Sequence, residues 1–195
     1  MLAFLPALFS DINMNFYRYY NENVVKYDLL NKFQYKSLNE MPKFHKIILN
    51  FGSKKSDLKH LGPTLLALEL ITSQRSLLTT SNTVNLSLKI KKGSPTGCKI
   101  TLRKMTMYTF LNKVVNKIFP KLKPFQGFKI LTSETKLQKT FSFNLRNNLL
   151  FPELEKHYQY FNRLPHLDVT VVTNAKSVRE LVFLLKSFKI PLLCK

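Results

Sequence analysis

The stretch KIKKGSPTGCKITLRK, Lys89–Lys104, decides the fold of this chain. On both sides of its glycines and proline, apolar residues alternate with polar ones, which is the period of a β-strand with one buried face. Gly93, Pro95 and Gly97 suit the dihedral angles of a turn. The stretch therefore predicts a β-hairpin that turns at GSPTG. Nearly all of its polar positions are basic, which a hairpin does not need in order to fold.

The same alternation continues through other parts of the chain. It predicts five strands, which lie in residues 46–52, 77–91, 98–103, 141–146 and 166–173. The inward positions of the second strand would include Leu86, Leu88 and Ile90. Because strands of this kind bury one face only, we expect an α+β fold: an antiparallel five-stranded sheet with helices packed on one face and a long protruding β-hairpin loop.

Helical spacing marks the segments between the strands. The first helix, in residues 15–35, is expected to bury an apolar stripe made of Val24, Tyr27, Leu30 (or Leu29) and Phe33. Further helices are predicted from near Pro63 to Ser73 and from Met105 to Ile118. The last helix begins at an S-x-x-E capping box, Ser177 and Glu180.

Length and composition favour one folded domain. The chain has 195 residues, of which 45% are hydrophobic, and this is enough for a packed core. We expect an N-terminal extension in residues 1–22 and a single domain in residues 23–195. The opening MLAFLPALFS is apolar, but it is too short to span a bilayer and lacks the basic start of a secretory signal.

Positive charge dominates the chain and is concentrated in one region. Lys and Arg number 31 against 11 Asp and Glu, a formal charge of +20. Residues 86–146 hold 14 basic residues and one acid, Glu134. A solvated sheet face normally mixes both signs, whereas this excess calls for a polyanion. Nucleic acid and an anionic membrane surface are the two candidates.

The outward face of the sheet is expected to carry this charge. Ser, Thr and Asn can donate hydrogen bonds to phosphate and sugar oxygens, and Lys and Arg neutralise phosphates. One carboxylate, Asp168, falls on this face. It could pair with a basic neighbour, accept a hydroxyl from RNA or act as a base. The predicted outward set is Lys46, Asn50, Ser87, Lys89, Lys91, Lys99, Thr101, Arg103, Ser142, Asn144, Arg146, Asp168 and Thr170.

Catalytic and metal-binding patterns are missing from the sequence. The four histidines lie in separate segments, and Glu153 and Glu155 would point to different sides of a helix. Cys98 and Cys194 form no CxxC pair and are expected to be free thiols. GSPTG is not a phosphate-binding P-loop, because no GK[ST] follows it. We therefore expect no enzyme activity, no metal and no cofactor.

A set of motifs resembles a known family. The series KFxYxSxxExPKxxKIILNFG, TSQRS, KIKKGSPTGCKITLRKMTMYTFL, FPEL and LDVTVVTNAKS, in this order, is similar to the ribosomal protein L-five family, a universal component of the large ribosomal subunit. The resemblance runs from about Tyr27 to Pro191. The hairpin motif is its most specific part.

The resemblance implies that the protein binds 5S rRNA and adjacent large-subunit rRNA in the central protuberance. The family's 5S-contacting positions match Asn50, Gln74, Thr101 and Arg103, and Asp168 also matches a retained position; the neighbouring Lys99 joins them as an rRNA-binding candidate. The family's loop toward P-site tRNA matches Lys91, Lys92, Gly93, Ser94, Pro95, Thr96 and Gly97. Neighbouring ribosomal proteins of the central protuberance would be further partners.

The sequence also departs from the family. Asn144, Asn147 and His166 stand where relatives often have a Gly or an acid, and residues 127–140 show little match. That region helps the family touch a small-subunit head protein, so the inter-subunit bridge is the least secure expectation. Likeness to organellar members and a bias toward Asn, Lys, Phe and Ile suggest a mitochondrial ribosome in the matrix.

Two other functions compete with this interpretation. An RNA-modifying enzyme would use the basic face to hold its substrate, and it predicts a pocket of perturbed titrating groups. A peripheral membrane protein would anchor through MLAFLPALFS and be steered by lysines. We expect no membrane partner. Lipid flotation that survives nuclease treatment would support the membrane alternative.

Overall fold

The structure is a computed structural model that describes residues 16–53, 58–122, 127–129 and 140–193. The helices are α1, in residues 16–32, α2 (Leu58–Thr72), α3 (Lys104–Lys113), α4 (Pro152–Glu155), α5 (Tyr158–Phe161) and α6 (Val178–Ser187). The strands are β1 (Phe44–Gly52), β2 (Leu77–Thr80), β3 (Pro95–Leu102), β4 (Phe128–Lys129), β5 (Thr140–Leu145), β6 (Leu167–Thr173) and β7 (Leu192–Leu193).

Several helical turns are not α-helical. Helix α1 contains a π-helical turn at Asn21–Val25 and continues as an α-helix over Lys26–Lys32. Helix α3 is extended by a π-helical turn, Val114–Ile118, and by a 3-10 turn, Phe119–Lys121, which contains Pro120.

The main sheet has five strands in the order β2-β3-β1-β6-β5. Strand β3 pairs antiparallel with both β1 and β2, so that Asn50 lies opposite Lys99 and Leu49 lies opposite Ile100. This confirms the predicted α+β fold with a five-stranded antiparallel sheet. A second sheet, the parallel pair β4-β7, was not predicted, because two residues per strand are too few to show a period.

The chain divides into two compact units. The first consists of Met1–Lys46, Arg103–Phe141 and Val171–Lys195, and the second of Ile47–Leu102 and Ser142–Thr170. Phe188 is central to the first unit, where its ring lies against Tyr17, Phe44 and Tyr108. In the second unit α2 packs against β3. Its buried side chains include Leu49, Phe51, Leu61, Leu68, Ile100, Leu102, Phe143 and Leu145.

The predicted second strand is mostly wrong. Only Leu77–Thr80 forms a strand, and residues 81–94 are the loop that joins it to β3. The side chain of Leu86 is 87% exposed, and Lys89 has a φ of +54°, which a regular strand does not allow. An isolated bridge joins Asn85 to Ile90. Ser87, Lys89 and Lys91 therefore lie on this loop and not on the sheet face.

The predicted apolar stripe of α1 is also wrong in part. The buried positions are Tyr17, Val25 and Leu29, whereas Val24, Tyr27 and Leu30 are exposed. Because a π-helical turn holds more residues than an α-helical turn, the turn at Asn21–Val25 shifts the side chains that follow it around the helix axis.

The start of α6 is as the sequence predicts. The Ser177 hydroxyl accepts a hydrogen bond from the Glu180 backbone N–H at 3.2 Å, and the Glu180 carboxylate accepts one from the Ser177 backbone N–H. Leu181, Leu184 and Leu185 then fill one buried face of the helix.

Candidate nucleic-acid interface

The second unit presents one polar face of the main sheet. In residues 47–52 of β1, 98–102 of β3 and 140–145 of β5, buried side chains alternate with side chains that are exposed or half-buried. This is the alternation expected for a sheet that is covered on one face only. We call the uncovered side the outer face. Its polar positions within the second unit include Asn50, Lys99, Thr101, Ser142, Asn144, Asp168 and Thr170.

In the part of the chain that the structure describes, most of these side chains have no hydrogen-bond or ion-pair partner. Ser142 donates a hydrogen bond to Thr170 across β5 and β6, with 3.1 Å between the hydroxyl oxygens. Among the described residues, no side chain forms a hydrogen bond or ion pair with those of Asn50, Lys99, Thr101 or Asp168. Their donors and acceptors are therefore available to a ligand.

The outer face carries little negative charge. Asp168 is the one carboxylate at the outer positions of the described strands, and it is half-buried. Lys99 is exposed and lies opposite Asn50 in the β1–β3 pairing, and Thr101 lies opposite Ile48. Residues paired in this way share a face of the sheet. The structure thus brings together three predicted site residues, Asn50, Lys99 and Thr101.

Gln74 lies in the second unit but outside a strand. Helix α2 ends at Thr72, and the next residue, Ser73, has a φ of +56°, which does not continue a helix. The Ser73 backbone N–H donates to the Glu69 carbonyl at 2.7 Å. The half-buried Gln74 follows in the turn toward β2, and its backbone N–H donates to the Thr72 hydroxyl at 3.4 Å.

Arg103 follows β3 directly and belongs to the first unit. Its side chain is exposed, and it contributes to a cleft of about 580 Å³ at the start of α3. The cleft is also lined by Arg18, His45, Lys104 and Met105. Sequence reasoning missed Arg18, His45 and Lys104 as site residues, because no motif links positions from α1, β1 and α3.

Hydrogen bonds hold one wall of this cleft. The Arg18 guanidinium pairs with the Glu22 carboxylate at 3.1 Å, and it also donates to the Met105 sulfur at 3.7 Å. The Tyr108 hydroxyl accepts a hydrogen bond from the Asn21 side chain at 3.2 Å. Burial raises the pKa of the Tyr108 hydroxyl, and the Glu22 carboxylate raises it further, so the hydroxyl stays protonated at neutral pH.

The segment Lys91–Gly97 does not form one loop. Lys91, Lys92 and Gly93 are exposed, and Gly93 has a φ of +84°. Ser94 closes a turn by donating from its hydroxyl to the Lys91 carbonyl at 2.7 Å. Pro95, Thr96 and Gly97 already belong to β3, which corrects the predicted turn at GSPTG.

The remaining chemistry of the molecule is modest. Among the described residues, the groups with a shifted pKa are four buried or half-buried groups, Tyr17, Tyr35, Cys98 and Tyr108, together with the surface carboxylate of Glu40. Within the described ranges, no group of three or more His, Cys, Asp or Glu side chains could hold a metal ion. No helix in the described part of the chain is long and apolar enough to cross a membrane.

Comparison with known proteins supplies the family. The model of the "ribosomal L5P family C-terminus" matches residues 95–192. The "Large ribosomal subunit protein uL5m" of Reclinomonas americana is 38% identical over 181 residues, which cover 92% of this chain and 98% of that protein. The "Large ribosomal subunit protein uL5" of Nitrosomonas europaea is 34% identical over 175 residues, covering 89% and 95%, and that of Wigglesworthia glossinidia brevipalpis is 34% identical over 180 residues, covering 91% and 98%. These matches confirm the resemblance found in the sequence: the chain belongs to the ribosomal L5P family, a family of ribosomal proteins and not of enzymes.

Proposed function

We propose that this chain is a structural component of the large ribosomal subunit, and that its outer face binds 5S rRNA and adjacent large-subunit rRNA in the central protuberance. One observation carries the proposal. Asn50, Lys99 and Thr101 lie on one face of the β1–β3 pair, and Asp168 lies at an outer position of β6. Their polar side chains have no partners among the described residues. Family membership makes RNA the natural ligand for such a face.

The chemistry of the outer face suits a nucleic-acid backbone. Lys99 supplies a positive charge for phosphate, and Asn50 and Thr101 supply hydrogen-bond donors for phosphate or sugar oxygens. Asp168 can accept a hydrogen bond from a ribose 2′-hydroxyl, which DNA lacks. Recognition would therefore depend on backbone, sugar and shape.

The loop between β2 and β3 is proposed to reach P-site tRNA. Lys91 and Lys92 are exposed there and can approach tRNA phosphates. The Gly93 backbone N–H donates to the Ser81 carbonyl at 2.8 Å, and this hydrogen bond fixes the base of the loop. Together with Ser94 and the strand residues Pro95–Gly97, it would position the two lysines.

We also propose a mitochondrial ribosome as the location. The Reclinomonas americana relative is named as a uL5m protein, and this supports the assignment, whereas the other two relatives are bacterial. Neighbouring ribosomal proteins of the central protuberance are further proposed partners. The expected bridge to a small-subunit head protein rests on residues 127–140, most of which lie outside the described residues.

Two alanine variants test whether 5S rRNA and tRNA bind at different places on the protein. Arg103→Ala removes an exposed guanidinium at a position that matches a 5S-contacting position of the family, and should weaken 5S rRNA binding roughly 10- to 150-fold, because hydrogen bonds to charged groups contribute about 1.5–3 kcal/mol. Lys92→Ala removes a loop charge and should leave 5S affinity nearly unchanged while weakening tRNA contacts. Filter binding with 5S rRNA at fixed salt measures the first effect. Equal losses of 5S affinity in both variants would contradict the proposal.

A further inference from the structure

We propose that the cleft at the start of α3 holds one unpaired nucleotide of the bound RNA, with its phosphate on a basic rim and its base on an apolar floor. The inference rests on the proposed function, since it assumes an RNA ligand. It adds a second binding site, located in the first unit, to the outer face of the second. Its residues come from α1, β1 and α3.

The rim carries the positive charges of Arg103 and Lys104, and the imidazole of His45 lies beside them. Arg103, Lys104 and His45 are exposed, and no acid in the described part of the chain forms an ion pair with any of them. The fourth basic group, Arg18, is offset by its ion pair with Glu22. Because the local excess of positive charge has no acidic partner among the described residues, an anion such as a phosphodiester would be held there.

The floor is apolar and aromatic. Phe44, Met107 and Tyr108 are at most 9% exposed, yet their atoms line the cleft, and Met105 is half-buried beside them. The hydrogen bond from Arg18 to the Met105 sulfur fixes that side chain. Thioethers and aromatic rings provide the surfaces on which nucleobases stack.

The size of the cleft favours a nucleotide over a bare phosphate. Its volume of about 580 Å³ falls within the range of roughly 300–1,000 Å³ found for small-ligand sites. A phosphate alone would contact the rim and leave the floor in water. A nucleotide would cover both.

Backbone strain lies at the same place. Lys104 has a φ of +50°, a left-handed conformation that non-glycine residues rarely adopt. It lies between Arg103 and Met105, so this conformation sets the directions in which a rim residue and a floor residue leave the chain. Strain of this kind is found at ligand sites more often than elsewhere.

A short single-stranded RNA that carries one 2-aminopurine tests the inference with the full chain. The fluorescence of 2-aminopurine falls when the base stacks, so binding should quench it. Met105→Ala should keep RNA affinity within about threefold but lose most of the quenching, because the charge is unchanged and the most exposed side chain of the floor is removed. Quenching equal to that of the unmodified protein would overturn the inference.

Substitutions that remove the charge of Lys104 test whether the rim binds phosphate. Lys104→Gln should reduce the slope of log affinity against log salt by about 1, the effect of losing one phosphate contact. Lys104→Gly removes the same charge and relieves the left-handed strain. It should fold at least as stably by thermal unfolding and still lose binding. Unchanged affinity and salt slope in Lys104→Gly would overturn the rim assignment.

Competition separates a nucleotide site from a phosphate site. AMP should restore 2-aminopurine fluorescence at a lower concentration than inorganic phosphate does. Equal potency would mean that only phosphate is bound, and would overturn the inference.

Binding of 5S rRNA by Lys99→Gln, a variant of the outer face, is measured in parallel. If that variant loses 5S affinity while the cleft variants behave as the unmodified protein, the inference fails and the proposed function stands.

Discussion

At the scale of single residues, Gly97 sets how closely two strands can approach. It is buried and pairs with Gly52 across β1 and β3. A Cβ atom at Gly97 would lie 2.5 Å from the Phe51 carbonyl oxygen and 3.0 Å from the Thr79 hydroxyl. Since the first neighbour is backbone, it cannot rotate away, and the strands would have to move apart.

Gly97→Ala is therefore expected to lower the free energy of unfolding by about 1–3 kcal/mol, as overpacked sites do. Urea denaturation followed by circular dichroism measures the change. Gly52→Ala is the matched control, because a Cβ there meets nothing within 4 Å, and its effect should stay within about 0.5 kcal/mol. If both variants are equally stable, the close approach at Gly97 has no energetic role.

The surface ion pair between Glu40 and Lys176 gives a pH-dependent prediction. The Lys176 ammonium donates to the Glu40 carboxylate at 2.7 Å, and this hydrogen bond, with one from the Lys36 backbone N–H, lowers the pKa of Glu40 below its ordinary 4.5. Because the folded-state pKa is lowered, the pair stabilises the fold above pH 4.5 and the stabilisation is lost as pH falls through the folded-state pKa.

Lys176→Gln should raise the pKa of Glu40 toward its ordinary value. Carboxyl ¹³C chemical shifts followed through an acid titration measure it. The unfolding free energy of the unmodified protein should also fall more steeply below pH 4.5 than that of the variant. A Glu40 pKa that does not respond to the substitution would show that the ion pair does not hold in solution.

Residues could be assigned from sequence where the strand period was unambiguous. Asn50, Lys99 and Thr101 were placed outward by alternation alone, and the structure confirms each position. The left-handed backbone of Lys89 and Lys104 could not be predicted, since lysine has no preference for that conformation. The cleft at the start of α3 was missed for this reason and because its parts lie far apart in sequence.

At the scale of elements, the start of α6 depends on its capping box. Ser177→Ala removes the hydroxyl that accepts from the Glu180 backbone N–H, leaving that donor without its partner. The expected loss of unfolding free energy is about 1 kcal/mol. Thermal unfolding measures it, and Ser177→Asp, which keeps an acceptor, should retain most of the stability. An alanine variant as stable as the unmodified protein would contradict the role of the cap.

Elements were predicted well where a local signal agreed with tertiary packing. The capping box of α6 and the inward sides of β3 and β5 are such cases. The run of Leu86, Leu88 and Ile90 has a strand period, but Leu86 and Leu88 are exposed on the loop, because period alone does not supply a neighbouring strand. In α1, the π-helical turn changed which side chains face inward, and no residue type announces such a turn.

At the scale of the whole molecule, the net positive charge and the polar outer face of the sheet act together in binding a polyanion. A formal charge of +20 attracts any polyanion, but only a surface with unpaired donors and few acids can hold one in a defined orientation. The outer face has that composition. The family motifs predicted the antiparallel sheet and an RNA ligand, whereas the division into two units was not expected from the sequence.

The central claim is that the outer face binds the rRNA backbone, and the salt dependence of 5S rRNA binding tests it most directly. Lys99→Gln should lower the slope of log affinity against log salt by about 1, as one lost phosphate contact predicts. Lys186→Gln, which removes an exposed lysine from α6, should leave the slope unchanged. A slope reduced equally in both variants, or in neither, would contradict the account.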